Sequence, residues 1–289
     1  MGKFIKYIIV ASAVICLFAY KYISNNHKEI IETYTSLVFQ DSKGDLIPVS
    51  VLYNSSLDFE MDMRNKLILM QGYDYKNLGL NPILSKSLEL NFAYIENDRL
   101  EIDFNDKLLD HNPIDIIEVL SYMCNDLDVN GVDISVNGEN LEYFPNSYIP
   151  MSFSNDSIGL NNFINISHNI TESISVTCYK CENINDYKYY KPYTFRVSED
   201  NDIEYNIKDI VQSIDSAIRV DNVELKDKSA HIYLSSNILL DNEQIDRSLE
   251  NCIYLSVLSF ENIEDVILYI NNEEISRYDH KEIMINVIE

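Results

Sequence analysis

The sequence predicts an α+β protein of two tandem small domains, each a β-sheet with two helices packed on one face, after an N-terminal transmembrane helix. Three observations predict it. Leu108-Leu109-Asp110-His111-Asn112 is echoed by Leu239-Leu240-Asp241-Asn242-Glu243. Each copy follows a short alternating strand and precedes an amphipathic helix, a strand and a polar turn, and a period this long marks a domain duplication rather than a solenoid. Along both halves the apolar spacing switches between a period of two and a helical period. Finally, an uncharged apolar run, Tyr7 to Tyr20, stands between Lys6 and Lys21. The expected organisation is an anchor over 1–24, a first domain over 33–143, a connector over 144–171, a second domain over 172–277 and a tail over 278–289.

The N-terminal run is as long as a signal-peptide core and short for a full span. Phe4 and Ile23 extend it, and Lys6 and Lys21 can snorkel to the two interfaces. Three fates compete: cleavage, lipidation at Cys16, and retention as a signal anchor. Ala11-Ser12-Ala13 fits a cleavage site by letter but lies inside the run, and Ile15 stands before Cys16 where lipidation wants a small residue. A retained single-pass anchor is therefore expected in the cell membrane. Lys3 and Lys6 place Met1 in the cytoplasm and the C-terminal portion outside.

Beyond a polar stalk from Ser24, Thr33 to Phe39 and Leu46 to Tyr53 read as strands about the turn cluster Asp41 to Asp45. Leu57 to Gln71 reads as a helix with Met63, Leu67, Ile68 and Met70 on or near one face. Leu88, Leu90 and Phe92 alternate with polar residues, and Glu96-Asn97-Asp98 turns the chain into Leu100-Ile102-Phe104 as a hairpin. Asn112 is a good N-cap before Pro113 at the first helical position. Ile116, Ile117, Leu120, Met123, Cys124 and Leu127 then form one apolar stripe, Val132 to Val136 is the closing strand, and Asn137-Gly138 favours a tight turn.

Phe144 to Thr171, with Pro145, Pro150 and many Ser and Asn, reads as a connector partly structured around Ile158, Leu160, Phe163 and Ile164. The second half repeats the order. Ser173 to Tyr179 and Tyr193 to Val197 are paired strands. Ile207, Ile210, Val211, Ile214, Ala217 and Ile218 form a helical stripe. Val223 to Leu225 and Ala230 to Leu234 make a hairpin around Lys226-Asp227-Lys228. Ile245, Leu249, Cys252, Ile253 and Phe260 line the next helix, and Val266 to Ile270 closes. Each half thus reads β-β-α-β-β-α-β, and Ile283 to Ile288 has the alternation of a strand that adds to a sheet edge.

The 289 residues are 46% hydrophobic, enough for packed cores. With 22 basic against 47 acidic residues the net charge is -25. Such a surface repels polyanions, so nucleic acid is not expected as a partner, and the acidity fits either a solvated soluble domain or a partner with a basic face.

No residue pattern carries a reaction. Cys178-Tyr179-Lys180-Cys181 has a redox or zinc spacing, but it ends a strand instead of opening a helix, and no second pair completes a zinc site. Incidental thiols are expected, with a disulfide as the alternative. His27, His111, His168, His231 and His280 are scattered without ligand spacing. The seven glycines build no phosphate loop, and no G-x-S-x-G elbow occurs. Glu199-Asp200-Asn201-Asp202 lacks the register of a calcium loop and suits a helix N-terminus instead. No catalytic residue, cofactor or metal is therefore expected. Tyr187, Tyr189, Tyr190 and Tyr193, interleaved with Lys188 and Lys191, are the one candidate surface for a partner or a cell-wall glycan. A half-buried tyrosine strand is the competing reading.

The order of elements resembles the GerMN domain family of sporulation and spore-germination proteins, in tandem. In the first domain the resemblance lies in Leu37 to Asp41, Gly44 to Val49, Asn65 to Gly72, Arg99 to Phe104 and Gly131 to Gly138. In the second it lies in Ile207 to Ile218, Ile232 to Leu240 and Val266 to Ile275, without counterparts of Gly72, Gly131 and Gly138. The resemblance implies a non-enzymatic, extracytoplasmic interaction or assembly protein, similar to ring-building modules of secretion channels. Envelope proteins are the implied partners, peptidoglycan is the alternative, and no catalytic residue is carried over.

Overall fold

The computed structural model describes residues 31–72, 75–125, 127, 129–154, 158–162, 173–240, 244–281, 283 and 285–288. The expected transmembrane helix, Cys16, His27, His168, Phe163, Ile164 and the Asp241-Asn242-Glu243 part of the echo lie outside the described residues. Among the described residues, no helix is long and apolar enough to cross a membrane.

The first unit runs β1 (Ile31–Gln40), β2 (Leu46–Ser55), α1 (Phe59–Met70), β3 (Leu90–Glu96), β4 (Arg99–Phe104), α2 (Pro113–Asn125), β5 (Gly131–Val136), β6 (Glu139–Asn140) and β7 (Ser152–Ser154). The second runs β8 (Ser173–Ile184), β9 (Tyr187–Ser198), α3 (Ile203–Ile214), β10 (Val220–Lys226), β11 (Ser229–Leu234), α4 (Arg247–Val257), β12 (Asp265–Ile270) and β13 (Glu273–Arg277), before a short β14 (Val287–Ile288). The α+β class and the duplicated order hold, with one correction. Each unit has two sheets instead of one: an opening hairpin, and a separate sheet ordered β3-β4-β5-β6 or β10-β11-β12-β13. The helices come between them. α2 touches both β1 and β5, and α3 touches both β8 and β10.

That placement explains the burial of α2. Asn112 caps it by accepting from Ile114 N–H at 3.2 Å. Its stripe from Ile116 to Cys124 is buried as the spacing predicts, while Leu127 lies past the helix end and is only partly buried; Val119 and the polar Glu118 and Ser121 are buried too. A helix between two layers has little outer face to leave wet. The helix α1 buries Met63, Leu67 and Met70, whereas Ile68 is 57% exposed and does not share that face. The helix α3 ends at Ile214, and the Asp215 side chain then accepts from Ala217 N–H at 2.7 Å. Ala217 therefore falls in an exposed turn outside the helical stripe.

The two units share a bulge. Pairing shifts between Leu90 and Phe92 in β3, and between Val220 and Asn222 in β10. An extra residue reverses the strand's faces. Ala93 instead of Phe92 therefore enters the core, and Phe92 stacks half-buried on Tyr94. Parallel pairing of β4 with β5, and of β11 with β12, follows from the helical crossovers.

The stretch after Phe144 starts as part of the first unit. Phe144, Met151, Phe153 and Leu160 are buried in its core. β7 shares the outer edge of β5 with β6, where β13 covers the equivalent edge of β12 in one strand. Gly131 allows this, because a Cβ there would run into the Phe153 carbonyl and the Arg99 guanidinium. At the C-terminus, β14 does add to a sheet edge, and the edge belongs to the first unit. Val287 and Ile288 pair in parallel with Ser50 and Val51 of β2.

Candidate functional site

The most chemically concentrated region of the described residues is the seam where the β8–β9 hairpin of the second unit meets β2 of the first. Both hairpin strands are twelve residues long, well beyond the strands expected from the apolar alternation. The candidate tyrosines therefore sit along β9. Alternation puts Tyr189, Lys191 and Tyr193 on one face. Tyr189 is buried in the first unit's core, and its hydroxyl donates to Leu78 O at 2.9 Å. Tyr193 donates to Asp45 Oδ2 at 3.0 Å and to Glu182 Oε1 at 3.3 Å. Tyr190 packs against the second core, and its hydroxyl accepts from Asn251 Nδ2 at 3.1 Å. Tyr187 keeps an exposed ring, tilted against Tyr189.

Lys191 is the centre of this face and is fully buried. Its ammonium donates to Asp45 Oδ2 at 2.6 Å, Asp41 Oδ2 at 2.9 Å and Glu182 Oε2 at 3.0 Å. Asp41 is preorganised for this by its own turn, where its Oδ1 accepts from Lys43 N–H at 2.7 Å and Asp45 N–H at 3.0 Å. That leaves Oδ2 free to face the second unit. Lys43 reaches the same Glu182 oxygen at 3.1 Å. Burial alone would pull the Lys191 ammonium toward neutrality, but its three carboxylate hydrogen bonds outweigh burial and raise its pKa. Burial likewise pushes the Asp41 and Glu182 carboxyls up. Lys191, helped by turn N–H groups at Asp41 and by Lys43 at Glu182, leaves both below their ordinary values.

On either side of this knot, two asparagine side chains join the hairpins. Asn286 Nδ2 donates to Pro48 O at 2.6 Å and Tyr190 O at 2.9 Å, while its Oδ1 accepts from Tyr190 N–H at 2.8 Å. Asn161 Nδ2 donates to Leu46 O at 2.9 Å and Pro192 O at 2.7 Å, and its Oδ1 accepts from Leu46 N–H at 2.8 Å. Each carboxamide does the work of a peptide unit between strands that never pair directly. Asn161 and Asn162 are held in turn by Glu118, whose two oxygens each accept a backbone N–H at 2.8 Å. At the hairpin tip, Ile184 closes on Gly79. That glycine has φ +80°, and a Cβ there would lie 2.5 Å from the Ile184 methyl.

A cleft of about 520 Å³ lies between the two units. Thr33, Tyr34 and Tyr53 line it from the first unit, and Tyr179 and Leu255 from the second. β1, which contributes Tyr34, is the edge strand of its sheet.

The other sequence candidates disperse. Cys178 and Cys181 lie within β8, not at its end, and both are free thiols. His111 accepts Ser85 N–H at 2.9 Å and pairs through Nδ1 with Lys107 O, fixing a turn. His231 stacks on Tyr269, and burial, with Lys226 nearby, lowers its pKa. His280 lies 3.8 Å from Asp265. The acidic run leads into α3, with Asp202 before its first turn and Glu204 within it. Among the described residues, no cluster of His, Cys, Asp and Glu could hold a metal ion.

The sequence places Lys191 on a candidate surface and Asp41 and Asp45 in a turn, but does not show their buried ion pairing, nor the roles of Glu182, Asn161 and Asn286. One signal was present: a lysine alternating with two tyrosines on one strand face must be buried and paired, or must break the face.

A duplicated β-β-α-β-β-α-β unit, its halves joined through their opening hairpins, defines the class by fold. The tandem GerMN domains of the sporulation protein GerM from Bacillus subtilis share it. They match over 84% of this chain and 92% of that one, with a TM-score of 0.68 at 16% identity. The first GerMN domain of that protein taken alone matches 42% of this chain and 96% of its own length, at 18% identity and a TM-score of 0.36. The chain has the tandem GerMN fold, as its element order implied. No family model matches the sequence, and no curated protein matches it.

Proposed function

We propose that the protein is a non-enzymatic interaction and assembly protein of the cell envelope, held by its N-terminal apolar run with the two units outside the membrane. The fold shared with a sporulation protein supports an envelope role in sporulation or germination. The observation that carries the interaction reading is the position of β1. It is an edge strand bordering a cleft to which both units contribute walls. An edge strand offers backbone donors and acceptors to an added strand, and pockets beside it select side chains. The locked seam keeps those walls in register, and the net charge of -25 favours a basic partner segment.

The test is a photocrosslinking amino acid at Tyr34, within the cleft, against one at Tyr148, which is 96% exposed and outside it. In intact cells the Tyr34 position should capture a defined envelope protein that the Tyr148 position does not. Equal capture at both, or none at Tyr34, refutes the reading. The tyrosines and hydroxyls of the same cleft favour peptidoglycan as a second reading. In that case purified peptidoglycan retains the protein, and Tyr34→Ala with Tyr53→Ala releases it.

A further inference from the structure

α4 and the turn that follows it lie along the outer edge of β8 and satisfy it with small side chains. Ser259 Oγ accepts from Thr177 N–H at 3.0 Å and donates to Thr177 O at 3.1 Å. Ser256 Oγ accepts from Tyr179 N–H at 2.8 Å. Outward backbone groups of an edge strand recur every second residue, so Cys181 follows Thr177 and Tyr179. One helical turn before Ser256 on the same face comes Cys252. This register brings the two thiols to the same end of the β8–α4 contact, where both line one cavity.

We propose that Cys181 and Cys252 are a thiol–disulfide exchange pair that closes into a cross-link between β8 and α4. Both line a single cavity of about 320 Å³, together with Lys188, Asp246 and Ser248. Cys181 is half-buried and open to it, whereas Cys252 is fully buried behind. The remaining described cysteines are placed otherwise. Cys178 is buried with its thiol toward Ile210 O at 3.8 Å, and Cys124 sits in the first core. The roles divide accordingly. The Cys252 thiol, against the opposing effect of burial and with help from Lys188, draws the Cys181 pKa down to about 7. The Cys252 pKa is raised by the Cys181 thiol and by burial. Cys181 is thus the attacking thiolate and Cys252 the resolving thiol.

The co-reactant is a small external disulfide such as oxidised glutathione. The Cys181 thiolate attacks one of its sulfurs, forming a mixed disulfide and expelling one glutathione thiolate. Cys252 then gives up its proton and attacks Cys181 Sγ, expelling the second glutathione. Two protein thiols are oxidised to one disulfide, and one external disulfide is reduced to two thiols. The proposal goes beyond the envelope reading and stands without it, because the exchange can be run on the purified full chain.

The reduced full-length protein is incubated with oxidised glutathione, alkylated and mapped by mass spectrometry. A peptide joining Cys181 to Cys252 and the loss of two of the five thiols are expected. Cys252→Ser should stop at a glutathione adduct on Cys181, and Cys181→Ser should leave Cys252 unmodified. The wild-type rate should rise through about pH 7. A cross-link through any other pair, no cross-link, or a Cys181→Ser variant that reacts as fast as wild type overturns the proposal.

Discussion

Replacing Lys191 by Met tests whether the seam is a structural lock. The substitution keeps length and apolar volume while removing the ammonium, so its effect reports the charge cluster and not a cavity. Three carboxylates lose their shared donor. Asp41 suffers most, because its side chain is only 2% exposed and its Oδ2 is the oxygen that takes the Lys191 ammonium. Asp45 and Glu182 are 20% and 29% exposed, and Lys43 still reaches Glu182. Breaking a fully buried ion pair from one side costs about 3–5 kcal/mol. With two of the three carboxylates able to recruit water, the low end, about 3 kcal/mol, is expected. The assay is urea unfolding followed by far-UV circular dichroism, comparing midpoints at constant slope. Lys191→Met combined with Asp41→Asn should recover part of the loss, since the orphaned charge goes with its cause. A single-variant loss below about 0.5 kcal/mol, the range of ordinary surface changes, would refute the lock.

The same cluster sets a pH dependence. Asp41 and Glu182 have depressed pKa values, so their stabilisation is present above the ordinary values of 3.8 and 4.5 and is lost as pH falls through the lower folded values. Lys191 is raised, so its contribution is complete below 10.5 and lost only as pH rises through its higher folded value. Thermal melting should be level between about pH 5 and 8 and fall in acid, and Lys191→Met should flatten the acid limb. An unchanged acid limb in that variant counts against the assignment. Asn286→Ala removes three side-chain hydrogen bonds that join Pro48 to Tyr190. At about 1 kcal/mol each, urea unfolding should show a loss of about 2–3 kcal/mol, and β14 should exchange its amide protons faster. No change in either measurement would mean that the tail is not held through that side chain.

Local structure was legible because local rules decided it. Asn112 with Pro113 and the Asn97-Asp98 and Asn137-Gly138 turns form where their residues said they would, as do the stripes of α2 from Ile116 to Cys124 and of α4 from Leu249 to Ile253, whereas Leu127, Ile245 and Phe260 fall outside the helices. Misreadings arose where one residue shifts a whole pattern, as at the Leu90–Phe92 bulge, or where a strand carries charge inward. Lys180, Lys188 and Lys191 interrupt the apolar alternation, which ends at Tyr179 and resumes at Tyr193, while the strands run on to Ile184 and from Tyr187. The seam itself was out of reach. Asp41 and Lys191 are 150 residues apart, and a buried lysine is recognisable only beside its carboxylates. Asn161 and Asn286 were invisible for a different reason. In so asparagine-rich a chain nothing marks the two that replace peptide units.

The β8–β9 hairpin also explains why the two units form one body. An isolated two-stranded sheet is marginal in water, and both its edges are open to unwanted pairing. Here each edge is taken. The hydroxyls of α4 cover β8, while Asn161 and Asn286 cover β9. One of its faces is shared along its length, with Val176 and Cys178 in the second core and Tyr189 in the first, while Tyr179, Cys181 and Tyr190 on the other face pack against the second core. The first unit therefore depends on the second for part of its core, for the partner of Leu78 O and for the counter-ion of Asp41. It depends on the C-terminal tail for a neighbour to β2. With β2 and both edges of the second hairpin occupied, β1 is the edge strand of the opening hairpins left facing the cleft, and the seam fixes the angle at which that edge is presented. A change at Lys191 should consequently reach the partner surface without touching it. Crosslinking from Tyr34 should weaken in Lys191→Met even at temperatures where both units remain folded.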